Sequence, residues 1–473
     1  MKQSRNFTSH FSLVTGKALC TFLFGVAVLL FFGLAYPHHL HYQEQYQLFL
    51  FDSNYVWEII RQPGGIADLL GRFCTQFFLF AWVGAFIIAL LLSAIQLLTF
   101  RLAKWGWLYG LSFVPSFLLW LFLLDENALL GGVWAVLLTL LAIWGCLLIP
   151  KGWKRYVAII VAIPILYWMA LGGSHFYRYP TVFPTLLYVA WLSALIFPLG
   201  MRLVLRGKKS ENTQQQNYSL SSFLFPLLSF ILVSLVMGIF VWKNANFKAE
   251  KVMQYDFMAC HQQWNRILET VNKEKPNNQI GVTVQNLALA MRGMLADHLF
   301  DYNQNGILGL LPDVQSDATS PMPTAEAFYQ LGMIYVAQRT VFEAQEAILD
   351  FQKSGRCYKR LAQTNLINGN YEVARKYLMA LQKTLFYRDW ANETLPLLGN
   401  EKAIASHPEY GRLRQWAYKE DFYFSDHVTP EMLESLFFGN TDNRLAFEYL
   451  KAYYMLTNDR EGYTRLLLHL KEQ

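Results

Sequence analysis

The chain has 473 residues, of which 54% are hydrophobic, 16% aromatic and 16% charged, against roughly 25% charged in an average soluble protein. Residues 1–242 hold 15 Lys and Arg against 7 Asp and Glu, and residues 243–473 hold 25 against 27, so the net charge of +6 sits beside the apolar stretches. That distribution excludes a single water-soluble globule, and it excludes nucleic-acid binding, which needs a basic stripe on the folded polar half.

A helix needs roughly 20 apolar residues to cross a hydrocarbon core of about 30 Å. Seven runs approach that length: Ala18–Tyr36, Phe77–Phe100, Trp105–Leu124, Ala128–Ile149, Tyr156–Gly173, Thr181–Met201 and Leu220–Trp242. The first is too long for a signal-peptide core, and Ala35-Tyr36-Pro37 is a poor cleavage site, so a retained helix is expected. Prolines 115, 164, 198 and 226 fall within the runs, where neighbouring groups in a membrane bundle re-satisfy freed carbonyls.

Between the first two runs lies a long loop, residues 37–76, which is half apolar. Tyr46, Leu48, Phe49, Leu50 and Phe51 are too few to span, so an interfacial or re-entrant helix is expected, breaking at Pro63-Gly64-Gly65. His38, His39 and His41 cluster at its start. A metal site needs three or four convergent ligands, so they read as interfacial histidines instead. Asp125-Glu126 reads as punctuation of a tight turn. Arg72, Arg178 and His175 read as side chains reaching the interface, with a lipid phosphate or an acid as alternative partners.

Lys and Arg concentrate on the cytoplasmic side of a membrane protein. With the N-terminus inside, Lys2, Arg5, Lys17, Arg101, Lys104, Lys151, Lys154, Arg155, Arg202, Arg206, Lys208 and Lys209 all face the cytoplasm. Only Arg61, Arg72 and Arg178 face outward, and seven crossings then carry residues 243–473 to the outside. Trp105, Trp107, Trp153 and Trp242 suit the interfaces.

From about Asn244 the pattern is helix, turn, helix. Met253, Phe257, Trp264, Ile267 and Leu268 form one apolar stripe; Val284, Leu287, Leu289, Met291, Met294 and Leu295 form another, with Pro276-Asn277-Asn278 between. Cys260 and Cys357 have no metal-ligand spacing and read as packed thiols, a disulfide being the alternative in an oxidising compartment. Residues 311–323 and 395–409 read as loops.

Segment 325–354 carries Phe328, Leu331, Gly332, Tyr335, Ala344 and Ile348. Segment 355–388 carries Tyr358, Leu361, Ala362, Gly369, Tyr371, Ala374, Leu378 and Leu381. Both resemble the tetratricopeptide repeat, in which small residues let two antiparallel helices approach. The offset is about 30 residues rather than 34, the closing proline is missing, and Asn365 stands where an aromatic is usual. A degenerate third unit runs from Phe447 through Leu450 and Tyr454 to Leu468. The resemblance implies an α-solenoid capped by the Met253–Leu311 helices. On QEQYQLFLF, QPGG and NRLAFEYLKAYYML, the whole chain also resembles a group of uncharacterised multi-spanning bacterial membrane proteins, which implies architecture rather than chemistry.

The reading is all-α: a membrane domain over 1–242, then an extracytoplasmic, tetratricopeptide-like domain over 243–473, in the inner membrane of a bacterium. Its expected role is a membrane-anchored interaction module in contact with membrane lipids and a protein or peptide partner. Tyr329, Tyr335, Tyr358, Phe386 and Tyr387 are the candidates for partner contact, with core packing as their alternative. No Walker loop, GxGxxG, GxSxG, HExxH or CxxC occurs, so no cofactor is expected. One alternative is a glycosyltransferase acting on polyprenyl-linked sugars. Such multi-spanning enzymes carry acids in their first outer loop, here Glu44 and Asp52, but their paired-acid motif is absent and they use more spans. A small-solute or lipid transporter is the other. The lack of charged residues at mid-span speaks against ion coupling.

Overall fold

The computed structural model describes residues 2–103, 109–172, 176–179, 181–207, 220–313, 321–348, 352–418 and 429–472. Lys104, Trp105, Trp107, His175, Lys208, Lys209 and the linker residues 314–320 lie outside them. The described residues form helices joined by turns and irregular stretches, without a strand; Ala128 and Tyr177 form an isolated bridge. The chain divides into two compact units, Met1–Glu44 with Phe51–Phe247, and Gln45–Leu50 with Lys248–Gln473. Residues 45–50, placed in the membrane domain by sequence, are therefore counted with the second unit.

In the first unit, α1 (Lys2–Leu30) continues into a π-helical turn, Phe31–Ala35. Gly33 lies in that turn, and a Cβ there would meet the Trp82 ring at 2.7 Å. The long loop holds three short helices, α2 (Pro37–Glu44), α3 (Ser53–Ile60) and α4 (Gly65–Thr75). The break before α4 uses Gly64 at φ 74°, a left-handed conformation that glycine adopts without strain. The remaining helices are α5 (Ala81–Ala103), α6 (Val114–Phe122), α7 (Leu130–Leu148), α8 (Trp153–Leu171), α9 (Thr185–Gly207) and α10 (Leu220–Asn244).

Each of the seven apolar runs thus carries helix. Among the described residues, four helices are long and apolar enough to cross a membrane: Gly16–Ala35, Ala81–Leu102, Leu130–Leu148 and Leu224–Asn244. Tyr109–Phe122 and Thr185–Ile196 are apolar but shorter. In the third run Pro115 starts α6 rather than sitting inside it. Proline is at home in a helix's first turn, where its missing N–H has no intrahelical partner to lose. A 3-10 turn, Tyr109–Phe113, precedes it.

Aromatic packing holds α1 to α6. Phe24 meets Phe113 and Phe117 edge-on at 5.3 and 5.0 Å, and Phe31 meets Trp120 at 5.4 Å. A buried polar network also ties α1 to α5 and the 3-10 turn. Thr21 donates to Gln96 Oε1 at 2.9 Å and contacts the Tyr109 hydroxyl at 2.9 Å, and Gln96 donates to Ser112 at 2.9 Å. Helix α4 crosses α7 backbone to backbone. A Cβ at Gly71 would lie 2.4 Å from the Gly131 nitrogen.

The second unit opens with α11 (Phe247–Cys260), α12 (Trp264–Glu274) and α13 (Gln279–Met291). Asn278 ends the Pro276–Asn278 break by capping α13, accepting from Gly281 N at 2.8 Å. Then come α14 (Pro321–Leu331), α15 (Ile334–Glu346), α16 (Gly355–Ile367), α17 (Tyr371–Leu381), α18 (Arg388–Thr394), α19 (Glu401–Ser406), α20 (Tyr410–Trp416), α21 (Pro430–Gly439), α22 (Arg444–Thr457) and α23 (Arg460–Glu472). From α14 to α18, each helix packs on the next.

The expected loop over 395–409 instead contains a 3-10 turn and α19, whose start Asn400 caps by accepting from Ala403 N at 3.1 Å. In the segment 355–388, Leu361, Ala362, Ala374, Leu378 and Leu381 are buried between α16 and its neighbours. The earlier segment departs from its expected register. Gly332, read as a small residue inside a helix, ends α14 at φ 90°. Only glycine takes that conformation freely, so the helix stops there and Tyr335 faces out. Near the C-terminus Leu450 and Tyr454 are buried, while Leu466, not Leu468, takes the inward position on α23.

Candidate functional site

The candidates of the first unit lie on α2, at the start of α3, on α4 and on the turns at 123–129 and 176–179. Pro37 starts α2, and the short helix buries His39, Gln43 and Glu44. His39 Nε2–H donates to the Leu123 carbonyl at 3.0 Å, at the end of α6, and its ring lies 4.7 Å from that of Tyr36. Burial lowers its pKa to about 4, so the imidazole is neutral near pH 7. His38 and His41 have ring centroids 5.7 Å apart. Among the described residues no three His, Cys, Asp or Glu converge as metal ligands.

Gln43 donates to the Ala128 carbonyl at 3.0 Å. Asp125 organises the turn it sits in. Its Oδ1 accepts from the Asn127 backbone and side-chain amides at 2.9 and 3.0 Å, and its Oδ2 accepts from Tyr177 at 2.6 Å. Burial and then the Asp125 contact push the Tyr177 hydroxyl pKa up. Arg178 donates its backbone N–H to the Asn127 carbonyl at 2.8 Å, and its guanidinium reaches Asn127 Oδ1 at 3.4 Å and the Tyr42 hydroxyl at 3.5 Å. It is buried rather than turned outward. Arg72 likewise does not reach out. It is paired one helical turn away with Asp68 at 2.8 Å, and both side chains are buried or nearly so.

The two carboxylates of the enzyme alternative serve different structural settings. Asp52 is the N-cap of α3, accepting from Asn54 N at 3.0 Å and Tyr55 N at 3.3 Å. Glu44 is buried at the end of α2.

In the second unit, α16 presents Arg356 and Arg360 one turn apart. Arg356 forms a two-pronged contact with Asp256 of α11, at 2.5 and 2.8 Å. Arg360 meets Glu326 of α14 at 2.5 Å and lies over the Tyr329 ring at 3.6 Å. Tyr329 is fully buried, donates to Glu409 at 2.9 Å, and has its pKa raised by burial. It belongs to the core. Asn365, the departure from the repeat pattern, is buried and bonds the Leu361 carbonyl at 2.7 Å; Gln338 of α15 reaches it at 3.4 Å and accepts from Asn368 at 3.0 Å. A polar ladder thus takes the place of an aromatic contact.

The other aromatic candidates divide. Tyr335 is 54% exposed beside a small apolar depression lined by Gly332 and Val336. Tyr358 is half-buried, edge-on to Tyr377 at 5.1 Å. Phe386 and Tyr387 are half-buried, and Tyr387 covers Gly355, where a Cβ would meet its ring at 2.5 Å. Cys260 and Cys357 are both free thiols.

At Gln45–Leu50 the structure departs from the interfacial or re-entrant helix expected for this apolar stretch. The segment has no helix from residue 47 onward, and Tyr46, Gln47, Leu48 and Phe49 are buried. Leu48 N donates to the Lys353 carbonyl at 2.9 Å, and Arg356 reaches Gln45 Oε1 at 3.4 Å. The available signal was a strongly apolar stretch too short to span.

The chain belongs to a family of unknown function, DUF6057, whose model matches residues 12–176 and 169–472. No curated protein and no solved structure matches it.

Proposed function

We propose that the protein is a membrane-anchored interaction module of the bacterial inner membrane. Its first unit crosses the bilayer seven times from a cytoplasmic N-terminus, and its second unit is a tetratricopeptide-like solenoid outside the cytoplasm. The observation that carries the binding role is Gln45–Leu50. The second unit already holds a short, non-helical apolar segment through a main-chain hydrogen bond and an Arg356 contact, which is the chemistry of peptide capture. A partner segment of the same character, extended and apolar with a polar amide, would engage the exposed surface around Tyr335.

The membrane part is supported by the outward apolar side chains of the first unit. Ile160, Ile163, Leu232 and Leu235 are each more than half exposed. Water would penalise such a continuous apolar surface, whereas lipid accepts it. The bias of Lys and Arg between the runs supports the orientation. The glycosyltransferase reading is weaker, because a catalytic Asp52 would have to leave its capping role on α3.

A photo-crosslinking amino acid at Tyr335 in cells tests the binding role. Discrete adducts that vanish when the probe sits at buried Tyr329 are expected. Recovery of the uncrosslinked chain alone from both positions would overturn it. A phosphatase fused after Gln473 tests orientation and should be active outside the cytoplasm.

A further inference from the structure

We propose that the groove between α1 and α5 binds one phospholipid with an anionic headgroup, its acyl chain in the groove and its headgroup on Lys17 and Arg101. The inference rests on the membrane reading of these two helices. The groove has a volume of about 400 Å³ and an almost wholly apolar lining that includes Thr21, Gly25 and Leu29 of α1 and Phe86, Ser93 and Leu97 of α5. That volume lies within the range of roughly 300–1,000 Å³ that small ligands fill. Gly25 forms part of the floor; a Cβ there would come 3.1 Å from Ser93 Oγ.

Three contacts fix how the helices run past each other. Gly25 faces Ser93, Thr21 bonds Gln96, and the Lys17 amine sits over the Phe100 ring at 4.9 Å. The helices are antiparallel, so the groove runs toward the end where Lys17 of α1 meets Phe100 of α5, with Arg101 the next residue along α5. Both cations rest on aromatic faces, Lys17 also over Tyr109 at 5.7 Å and Arg101 over Trp144 at 5.7 Å. No Asp or Glu occurs anywhere in residues 2–43 or 69–124. Two cations at one end of an apolar groove, with no acid on their own segments, complement a phosphate at the membrane surface. A neutral lipid or a helix from a second copy would leave that charge unanswered.

The test uses the full chain in detergent, with native mass spectrometry after adding phosphatidylglycerol or phosphatidylcholine. One phosphatidylglycerol should be retained in preference to phosphatidylcholine. The double variant Lys17→Gln/Arg101→Gln should weaken that retention by roughly thirtyfold, from the contribution of two basic residues near an anionic surface. Ala18→Phe, which fills the groove from an exposed position, should abolish retention of either lipid while leaving the chain monodisperse. Equal retention of both lipids, retention insensitive to the double variant, or a lipid-free dimer would each overturn the proposal. Alkaline carbonate extraction separates the two levels. A chain that stays with the membrane but shows no lipid preference refutes the site alone, and a chain released to the supernatant refutes the membrane reading with it.

Discussion

Truncating Asp256 to Ala should destabilise the second unit far more than removing a surface ion pair would. The side chains of Arg356 and Asp256 are only 11% and 13% exposed and share two short contacts. A pair in that setting is desolvated, and deleting one partner leaves the other charge buried without compensation, at about 3–5 kcal/mol. An exposed pair is worth about 1 kcal/mol or less. For a unit of this size, about 1 kcal/mol moves the melting midpoint by roughly 2–4 °C, so the loss should be roughly 6–20 °C. The assay is thermal melting of the full chain in detergent, followed by proteolytic cleavage within α11 and α16. The apolar double variant Asp256→Leu/Arg356→Met should recover most of the loss, because it removes both charges together. A shift under about 3 °C for Asp256→Ala would refute the argument, since the pair would then be behaving as a solvated one.

Acidification should weaken the first unit through His39. Its folded pKa is lowered to about 4 from the ordinary 6.5, so the unfolded chain takes up the proton first. Stability is full above about pH 6.5, falls between 6.5 and about 4, and levels off below, for a total of about 3 kcal/mol. His39→Gln should flatten that segment of the profile, and an unchanged slope would count against burial as the cause. Gly71→Val should abolish the monodisperse peak of the full chain on size exclusion, because its side chain would run into the Gly131 backbone. Gly145→Val on α7, with nothing within 4 Å of a Cβ, should be silent. Cys357 is buried, with its Sγ 3.6 Å from Met322 Sδ, and burial raises its thiol to about 11. Maleimide at pH 7.5 should label it only after denaturation, and rapid labelling of the native chain would contradict the packing.

Helix positions were legible wherever local chemistry decided them. Asn278 before α13 is a capping residue, and the small residues Ala362 and Ala374 mark where α16 meets its partner. Pro115 and Gly332 carry backbone information that hydrophobic periodicity does not register. One starts a helix and the other stops one, and both effects follow from backbone conformation rather than hydrophobicity. The Asp68–Arg72 pair was also readable, being one turn apart on a helix. Arg356 with Asp256 was not, because 100 residues separate them and only the packing of α16 against α11 brings them together. Tyr329 reads from sequence like any other tyrosine of the repeats; its burial depends on Arg360 and on Glu409, 80 residues away.

The segment Gln45–Leu50 extends this point to folding itself. Tyr46, Gln47, Leu48 and Phe49 follow one another in a stretch without helix, and all four are buried. A strand lying on a surface would bury one face only. Here four consecutive residues are buried, and the second unit includes residues that precede it by about 200 positions. An excised Lys248–Gln473 chain should therefore be incomplete. Burying a large apolar side chain contributes about 1.5–3 kcal/mol, so losing Tyr46, Leu48 and Phe49 should cost roughly 5 kcal/mol after allowing for compaction of the unfolded chain. A synthetic Gln45–Leu50 peptide should restore stability in trans, by about 2.7 kcal/mol at a hundredfold excess over its Kd. A scrambled peptide with the same residues should do nothing, since the main-chain bond from Leu48 to Lys353 and the Gln45 contact depend on order. An excised unit as stable as in the full chain, and indifferent to the peptide, would show that the segment is merely covered rather than required, and would remove the observation on which peptide capture by this unit rests.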